Sequence, residues 1–253
     1  MDSPDDVRKA VRTLLGRGVD LIKIMASGRT FRQSSSPDAL ALTIEETKVA
    51  VWEAHNQGKK VTAHALGSKG VKMALEAGCD SLEHGSVLDD DDIEFMLKKG
   101  VFLIPTFSYS KRIKMMGAAS NLPEYAIQKS INSRELRLKS FAKALSKGVK
   151  IAMGSDAGMP FVYHGDNAFE LAEMVEAGMT PLQAIVASTS AGAELLGIAD
   201  NVGTLSEGKL SDIVIVDGNP LNDISILQEK RKILAVFKEG EIIINRGLNI
   251  KQS

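Results

Sequence analysis

The sequence of 253 residues contains a single cysteine, Cys79. One thiol can form neither an intrachain disulfide nor a cysteine-based zinc cluster, so a disulfide-stapled scaffold and a zinc finger are both excluded. Cys79 directly precedes an apolar run, and we predict that it is a small core residue.

The sequence also lacks long hydrophobic runs and an excess of charge of either sign. No apolar run approaches the ~20 residues that a membrane-spanning helix needs. The first residues, MDSPDDVRKAV, have neither the basic nor the apolar region of a signal peptide. The formal net charge is −1, which gives no electrostatic reason to expect a nucleic acid or an anionic membrane as partner. We therefore expect a cytoplasmic protein.

Apolar strand candidates alternate with amphipathic helices along most of the chain. The strand candidates lie at 19–25, 60–64, 80–84, 101–107 and 149–153, and the segment 108–148 between the last two is largely helical. This alternation predicts an α/β fold with a parallel sheet. From Gly203 onwards the chain is β-rich, with a hairpin predicted at Glu239-Gly240. We predict a barrel-type domain over 1–202 and a smaller β-sandwich-like segment over 203–253.

Four chemically reactive residues lie within or just after these strand candidates. They are Lys23, His64, His84 and Asp156. In a parallel (β/α)8 barrel the carboxyl ends of the strands meet at one rim, which carries the active site. Imidazole and carboxylate groups are good ligands for Zn²⁺ and similar ions. A single histidine at a strand end is more often a hydrogen-bonded polar residue, but three such residues and a lysine together favour a metal site.

Lys23 lies between apolar residues and is therefore predicted to be buried. Burial lowers the pKa of a lysine and makes the neutral amine available. A neutral amine can add CO₂ to give a carbamate anion that bridges two metal ions. A Schiff-base lysine and a buried ion-pair partner are the alternatives.

Five stretches of this sequence resemble the amidohydrolase superfamily, and most closely its binuclear-metal branch of prolidase-like and imidazolonepropionase-related hydrolases. These stretches are GVDLIKIMASG, VTAHALG, AGCDSLEHG, GSDAG and GTLSEGKLSDIVIVDGNP. The resemblance implies that Lys23 is a carboxylated lysine that bridges two divalent ions, which we expect to be zinc. It implies that His64 and His84 are further ligands. Asp156 would be both a ligand and the proton acceptor.

The sequence departs from this family in one large respect. Members of the family begin with sheet-module strands and a first barrel strand that ends in His-x-His, and no such pair precedes Lys23. By resemblance the chain corresponds to strands 4–8 of a TIM-type barrel, with part of a composite sheet module at its C-terminal end. We therefore expect an N-terminally truncated member, which forms a homo-oligomer or associates with a complementing N-terminal fragment.

The resemblance implies a metal-dependent hydrolase that cleaves amide or related C–N bonds in small substrates such as dipeptides or N-acyl amino acids. His164 follows Asp156 in a loop predicted to lie over the same rim, and Tyr109 follows the strand candidate 101–107. Both are predicted to contact the substrate. The alternative is a non-catalytic fragment, or one subunit of a split protein whose partner supplies the His-x-His strand.

Overall fold

The structure is a computed structural model that describes residues 2–28 and 36–249. The chain forms two compact units, Met1–Ile151 and Ala152–Ser253, which are described separately below. The domain boundary predicted at 202/203 remains a prediction.

The first unit contains a four-stranded parallel sheet in the order β1-β2-β3-β4, as the alternating sequence pattern predicted. Its strands are β1 (Leu21–Met25), β2 (Lys60–Ala65), β3 (Ser81–His84) and β4 (Phe102–Ile104). Its helices are α1 (Pro4–Gly16), α2 (Ile44–His55), α3 (Ser68–Ala77), α4 (Asp90–Lys99), α5 (Ser108–Met116) and α6 (Glu124–Lys147). A short 3₁₀ turn, Gly117–Ser120, joins the last two helices.

Two helices of the first unit begin with reciprocal capping boxes. The Thr43 hydroxyl accepts a hydrogen bond from the Glu46 amide at 3.2 Å, while the Glu46 carboxylate accepts one from the Thr43 amide at 2.7 Å. Asp89 and Asp92 exchange the same pair of bonds at the start of α4. Each box satisfies amide groups that have no partner inside the helix, so these residues fix where α2 and α4 begin.

The sheet has one uniformly apolar face. Ile24, Ala63, Leu82 and Leu103 are successive register partners across the four strands, and all are buried. Helix α2 contacts β1 and β2, and α3 contacts β2. Because side chains alternate between faces along a strand, the residues on either side of this row point the other way.

The predicted strand at 149–153 is reduced to a single bridge between Ile151 and Leu103. The Leu103 amide donates to the Lys150 carbonyl at 2.9 Å. The partner strand β4 ends at Ile104 because Pro105 has no N–H group and Thr106 has a φ of 51°, outside the extended region. A three-residue strand leaves little backbone to pair with.

The second unit combines three helices with a small antiparallel sheet. The helices are α7 (Ala168–Glu176), α8 (Pro181–Ser188) and α9 (Ser190–Leu196), and the strands β5 (Ile213–Val216), β6 (Ile233–Lys238) and β7 (Glu241–Asn245) pair in that order. The hairpin predicted at Glu239-Gly240 is confirmed, with φ of 53° and 86°. Positive φ at both central residues is typical of a type I′ turn, whose twist matches the twist of the two strands. Across the ranges that the structure describes, no helix is long and apolar enough to cross a membrane.

A buried carboxylate ties α1 to α2. Glu53 accepts hydrogen bonds from Arg8 Nε at 3.0 Å and from Arg12 Nε and Nη2 at 2.8 and 2.9 Å. The Glu53 side chain is only 6% exposed. The bonds from Arg12, and then from Arg8, lower the pKa of Glu53 against the opposing effect of burial.

We expect Glu53→Gln to lower the free energy of unfolding by about 1–3 kcal/mol at neutral pH, because two guanidinium groups lose their anion. The wild-type contribution is fully present above the unfolded-state pKa of a glutamate, and it is lost as the pH falls through the lowered folded-state value. Urea unfolding at neutral and acid pH measures both effects. Glu76→Gln is the matched control, since the Lys48–Glu76 pair is exposed and contributes less than about 1 kcal/mol. Equal losses for the two variants would contradict the prediction.

Candidate functional site

The structure brings two of the predicted ligands, His64 and His84, into direct contact at the carboxyl ends of β2 and β3. His64 Nδ1 and His84 Nε2 are 2.8 Å apart, and the two rings meet edge to face at a centroid distance of 4.6 Å. His84 is buried and His64 is half-buried. Two imidazoles therefore share a protected position at the end of the sheet.

The backbone of His84 explains how this contact arises. His64 has Glu83 as its register partner on β3, whereas His84 is paired with Ala65. In a regular strand His84 would therefore point to the face opposite His64. Its φ of 73° is left-handed, which turns the last residue of β3 out of the alternation. The local change of backbone direction allows its ring to reach His64.

The two histidines belong to a chain of four polar contacts. His64 Nε2 is 3.3 Å from the Gly28 carbonyl, and His84 Nδ1 is 2.6 Å from Thr106 Oγ1. The Thr106 hydroxyl donates to the Pro105 carbonyl at 2.7 Å. Together with the contact between the rings, these four contacts need four protons. Two neutral imidazoles and one hydroxyl supply three. With both rings neutral, the chain is therefore one proton short of complete hydrogen bonding.

A second proton on His84 does not make up this deficit. Burial lowers the pKa of His84 well below its ordinary value of 6.5, and the positive groups of Arg137, His64 and Lys23 lower it further. A divalent cation would remove the deficit, because an imidazole binds a metal through the lone pair of an unprotonated nitrogen. The donor chemistry of the pair thus fits a metal ion. Within residues 2–28 and 36–249, no three His, Cys, Asp or Glu side chains form a ligand cluster.

Lys23 differs from its prediction in one respect. It lies on β1 beside Thr62, on the same side of the sheet as His64, but it is exposed rather than buried. Its neighbours Ile22 and Ile24 are buried because they face the helices, and strand alternation places Lys23 on the other face. The apolar flanks predicted burial for the strand as a whole, whereas only alternate residues are covered.

The remaining predicted residues are found in different surroundings. Tyr109 is buried in the first turn of α5, in the first unit. Asp156 belongs to the second unit, where it is half-buried with a left-handed φ of 57° and its carbonyl accepts from the Met159 amide. His164 is exposed in the following loop of the same unit. The roles of these residues remain predictions.

Sequence reasoning missed three residues around the histidines. Glu83 shares the face of His64 and accepts a hydrogen bond from Thr62 Oγ1 at 3.0 Å. Thr106 Oγ1 lies 2.6 Å from His84 Nδ1, and Arg137 of α6 donates to the Thr106 carbonyl at 2.7 Å. Glu83 and Thr106 lie at or just after strand ends, and this position in the sequence could have indicated that they lie near the histidines. Nothing in the helical pattern of α6 marks Arg137 as different from its neighbours.

A cavity of about 340 Å³ lies at the other end of the strands. It is lined by residues at or before the strand starts, among them Lys60, Asp80 and Phe102. Parallel α/β proteins carry their chemistry at the carboxyl ends of the strands, where the histidines lie. The histidine pair is therefore the better candidate site in the first unit.

The structure is of the α/β class, with a parallel sheet and two histidines in contact at its strand ends, and the sequence is specific enough to name the family. The profile of the amidohydrolase family matches residues 1–243. The chain belongs to the amidohydrolase family, which confirms the predicted resemblance.

Relatives with known structures or curated functions agree with this assignment. The ochratoxinase of Aspergillus niger is 36% identical over 249 residues, which make up 98% of this chain and 51% of that protein, and its crystal structure matches with a TM-score of 0.87. The crystal structure of a Xaa-Pro dipeptidase with bound methionine is 36% identical with a TM-score of 0.88, over 96% of this chain and 59% of that one. An imidazolonepropionase of Desulfotalea psychrophila is 25% identical over 211 residues, or 79% of this chain and 44% of that protein. This chain spans about half the length of the curated relatives it matches.

The lowered pKa of His84 has a measurable consequence for the metal-free protein. Below pH 6.5 the unfolded chain binds a proton at this histidine and the folded chain does not, so stability rises with pH and is lost on acidification. We expect His84→Asn to remove up to about 1.4 kcal/mol per pH unit from the slope of unfolding free energy against pH. Chemical denaturation between pH 5 and pH 7.5 measures the slope. His164→Asn, on an exposed loop, is the control. Identical slopes for wild type and His84→Asn would show the prediction to be wrong.

Proposed function

We propose that this chain forms part of a metal-dependent hydrolase that cleaves amide or related C–N bonds in small substrates. The observation that carries the proposal is the His64–His84 contact, in which a half-buried and a buried ring nitrogen meet at 2.8 Å in a chain that is one proton short while both rings are neutral. A buried polar nitrogen without a hydrogen-bond partner costs free energy unless a cation takes the place of the missing proton. Membership of the amidohydrolase family supports the same conclusion.

In this proposal His64, His84, Lys23 and Asp156 hold two divalent ions, for which zinc suits the nitrogen and oxygen donors. A bound divalent ion polarises the scissile carbonyl and lowers the pKa of water, which makes hydrolysis possible at neutral pH. The protein's own contribution is to hold the two imidazoles in fixed orientations. The hydrogen bond from His84 to Thr106 and the contact of His64 with the Gly28 carbonyl serve this purpose.

Lys23 would contribute oxygen ligands after N-carboxylation. Its neutral amine attacks CO₂, a C–N bond forms, and one proton is released to solvent, which leaves a carbamate anion. Because Lys23 is exposed rather than buried, burial does not favour its neutral amine, but CO₂ can reach the amine and the released proton can pass to solvent. Its position on the same side of the sheet as His64 supports a shared ligand role.

Asp156 would take the proton of the attacking water and deliver it to the leaving amine. A carboxylate in this role typically contributes 10²–10⁴-fold to the rate. His164 and Tyr109 are proposed substrate contacts. The left-handed backbone of Asp156 supports a functional role, since strained non-glycine residues cluster at active sites.

The substrate class follows from the relatives by analogy. One similar structure is of a Xaa-Pro dipeptidase, and a further relative is an ochratoxinase. We therefore propose dipeptides and N-acyl amino acids as the first substrates to test.

A second proposal is that the chain is non-catalytic until a partner supplies further strands and a His-x-His pair. Among the described residues β1 has β2 as its one strand neighbour, so its other edge presents backbone groups for pairing. The partner would be a complementing N-terminal fragment or, in a homo-oligomer, another copy of the chain. The match to about half of each relative supports this alternative.

Metal analysis and a hydrolysis assay separate the two proposals. The purified chain is dialysed against zinc, its metal content is measured by mass spectrometry, and Xaa-Pro dipeptides and N-acyl amino acids are offered with and without a polypeptide that carries the His-x-His strands. Two bound ions and turnover without the added polypeptide would establish the catalytic proposal. Turnover that appears only on addition would establish the second. A chain that binds no metal under either condition would overturn both.

We expect Asp156→Asn to reduce turnover by at least about 100-fold in any active assembly while most of the metal stays bound, because the amide cannot accept a proton. Steady-state kinetics and metal analysis of the same sample measure the two effects. Asp200→Asn, at an exposed position of the second unit, is the matched control. Near-normal turnover of the Asp156 variant would remove this residue from the mechanism.

We also expect Lys23→Ala to weaken metal binding, because the variant loses the amine that would carry the carbamate. A short carboxylic acid added to the variant should restore part of the affinity by supplying oxygen ligands in the vacated space. Metal titration with and without the acid measures both. Unchanged metal affinity in the variant would exclude Lys23 as a ligand.

A further inference from the structure

We propose that Thr106 and Arg137 are positioning residues that fix His84 in the tautomer with a proton on Nδ1 and a bare Nε2 directed at His64. The tautomer follows from hydrogen bonding alone. Only its consequence for metal binding rests on the proposed function.

The Thr106 hydroxyl has one proton, and the geometry assigns it to the Pro105 carbonyl at 2.7 Å. A hydroxyl offers one proton and two lone pairs. Arg137 Nη1, a donor in every protonation state of the protein, is 3.5 Å from one side of the same oxygen. The remaining contact is His84 Nδ1 at 2.6 Å. With its proton already committed, Thr106 can only accept there, so the proton between them belongs to His84 Nδ1.

A neutral imidazole carries one N–H, and the contact with Thr106 places that proton of a neutral His84 on Nδ1. With Nδ1 protonated, Nε2 is left as a lone pair. Nε2 is the atom that lies 2.8 Å from His64 Nδ1. The nitrogen that faces the neighbouring ring is thus the one prepared to accept a proton or bind a cation.

Thr106 holds this position in a backbone conformation that a β-branched residue rarely adopts. Its φ is 51°, and it is only 2% exposed. Such a conformation costs of order 1–3 kcal/mol and persists only when the surroundings over-determine it. The hydrogen bond from Arg137 Nη1 to the Thr106 carbonyl at 2.7 Å is a charge-assisted restraint of that kind.

Arg137 connects the ends of two neighbouring strands. Its Nη1 donates to the carbonyl of Thr106, which follows β4. Its Nε donates to Ser86 Oγ at 3.4 Å, and Ser86 lies two residues after His84. Ser140, one turn further along α6, donates to the Ser86 carbonyl at 3.0 Å and accepts from the Leu88 amide at 2.9 Å. Helix α6, in the segment 108–148 that the sequence predicted to be largely helical, therefore bonds to residues at or just after both strand ends.

The matched control lies one turn earlier on the same helix. Arg134 is as buried as Arg137, at 5% exposure, and its Nη1 donates to the carbonyl of Phe107, the residue after Thr106. Removing either arginine costs packing and a hydrogen bond to a neighbouring carbonyl. Arg137 bonds to the carbonyl and lies 3.5 Å from the hydroxyl of Thr106, whereas Arg134 bonds to Phe107, so the two variants separate positioning of His84 from general stability.

The test is nitrogen NMR of the metal-free full chain with ¹⁵N-labelled histidine, in which the ring shifts report the tautomer and His84→Gln assigns the signal. We expect Nδ1–H in wild type and Thr106→Ser, and a shift towards Nε2–H in Thr106→Val, which keeps the shape and loses the acceptor. Arg137→Met should give a mixture, and Arg134→Met should resemble wild type. Nε2–H in wild type, or an unchanged tautomer in a folded Thr106→Val, would overturn the proposal. If Thr106→Val does not fold, the wild-type tautomer itself decides.

Zinc titration of the same samples tests the consequence. Loss of an outer hydrogen-bond partner typically weakens metal affinity by about 10–100-fold, and we expect this for Thr106→Val and Arg137→Met but not for Thr106→Ser. Equal weakening by Arg134→Met and Arg137→Met would overturn the positioning role of Arg137. If wild type has the Nδ1–H tautomer but binds no zinc, the positioning role stands and the proposed hydrolase function fails.

Discussion

The contact of 2.8 Å between His64 and His84 is the interaction on which the candidate site depends. It joins the ends of two strands whose regular geometry would keep these rings on opposite faces of the sheet. The left-handed residue at the end of β3 makes the contact possible, and it leaves two imidazoles in a position with little access to water. Burial in this position lowers the pKa of His84, and the nearby positive groups of Arg137, His64 and Lys23 lower it further.

Left-handed backbone occurs at or near the ends of three segments that the sequence predicted as strands. His84, Thr106 and Asp156 all have positive φ, and each lies at or shortly after a segment predicted as a strand. The first two are supported within the first unit by hydrogen bonds from side chains of α6. The polar network around Arg137 offsets the strain locally, so the sheet itself can remain regular up to its last residue.

Much of the fold was predictable because its signals are local. Capping boxes at Thr43 and Asp89 fixed the starts of α2 and α4, and the Glu239-Gly240 pair predicted the hairpin correctly. Two predictions were wrong because residues distant in the sequence determine the burial of a side chain and the length of a strand. Lys23 is exposed because only alternate residues of β1 face the helices, and residues 149–153 form one bridge because Pro105 and Thr106 end the partner strand early. In both cases the residue's own sequence context was apolar, and the surroundings determined the outcome.

The sequence by itself determined the family, the order of strands and helices, and the types of side chain that lie at the strand ends. These follow from hydrophobic periodicity, capping residues and motif spacing, which act over a few residues. Only the tertiary structure decided that His64 and His84 meet through a left-handed turn, that Thr106 Oγ1 lies beside His84 Nδ1, and that Arg137 bonds near both strand ends. Those features depend on contacts between residues 20 to 51 positions apart, and no local pattern encodes such a distance.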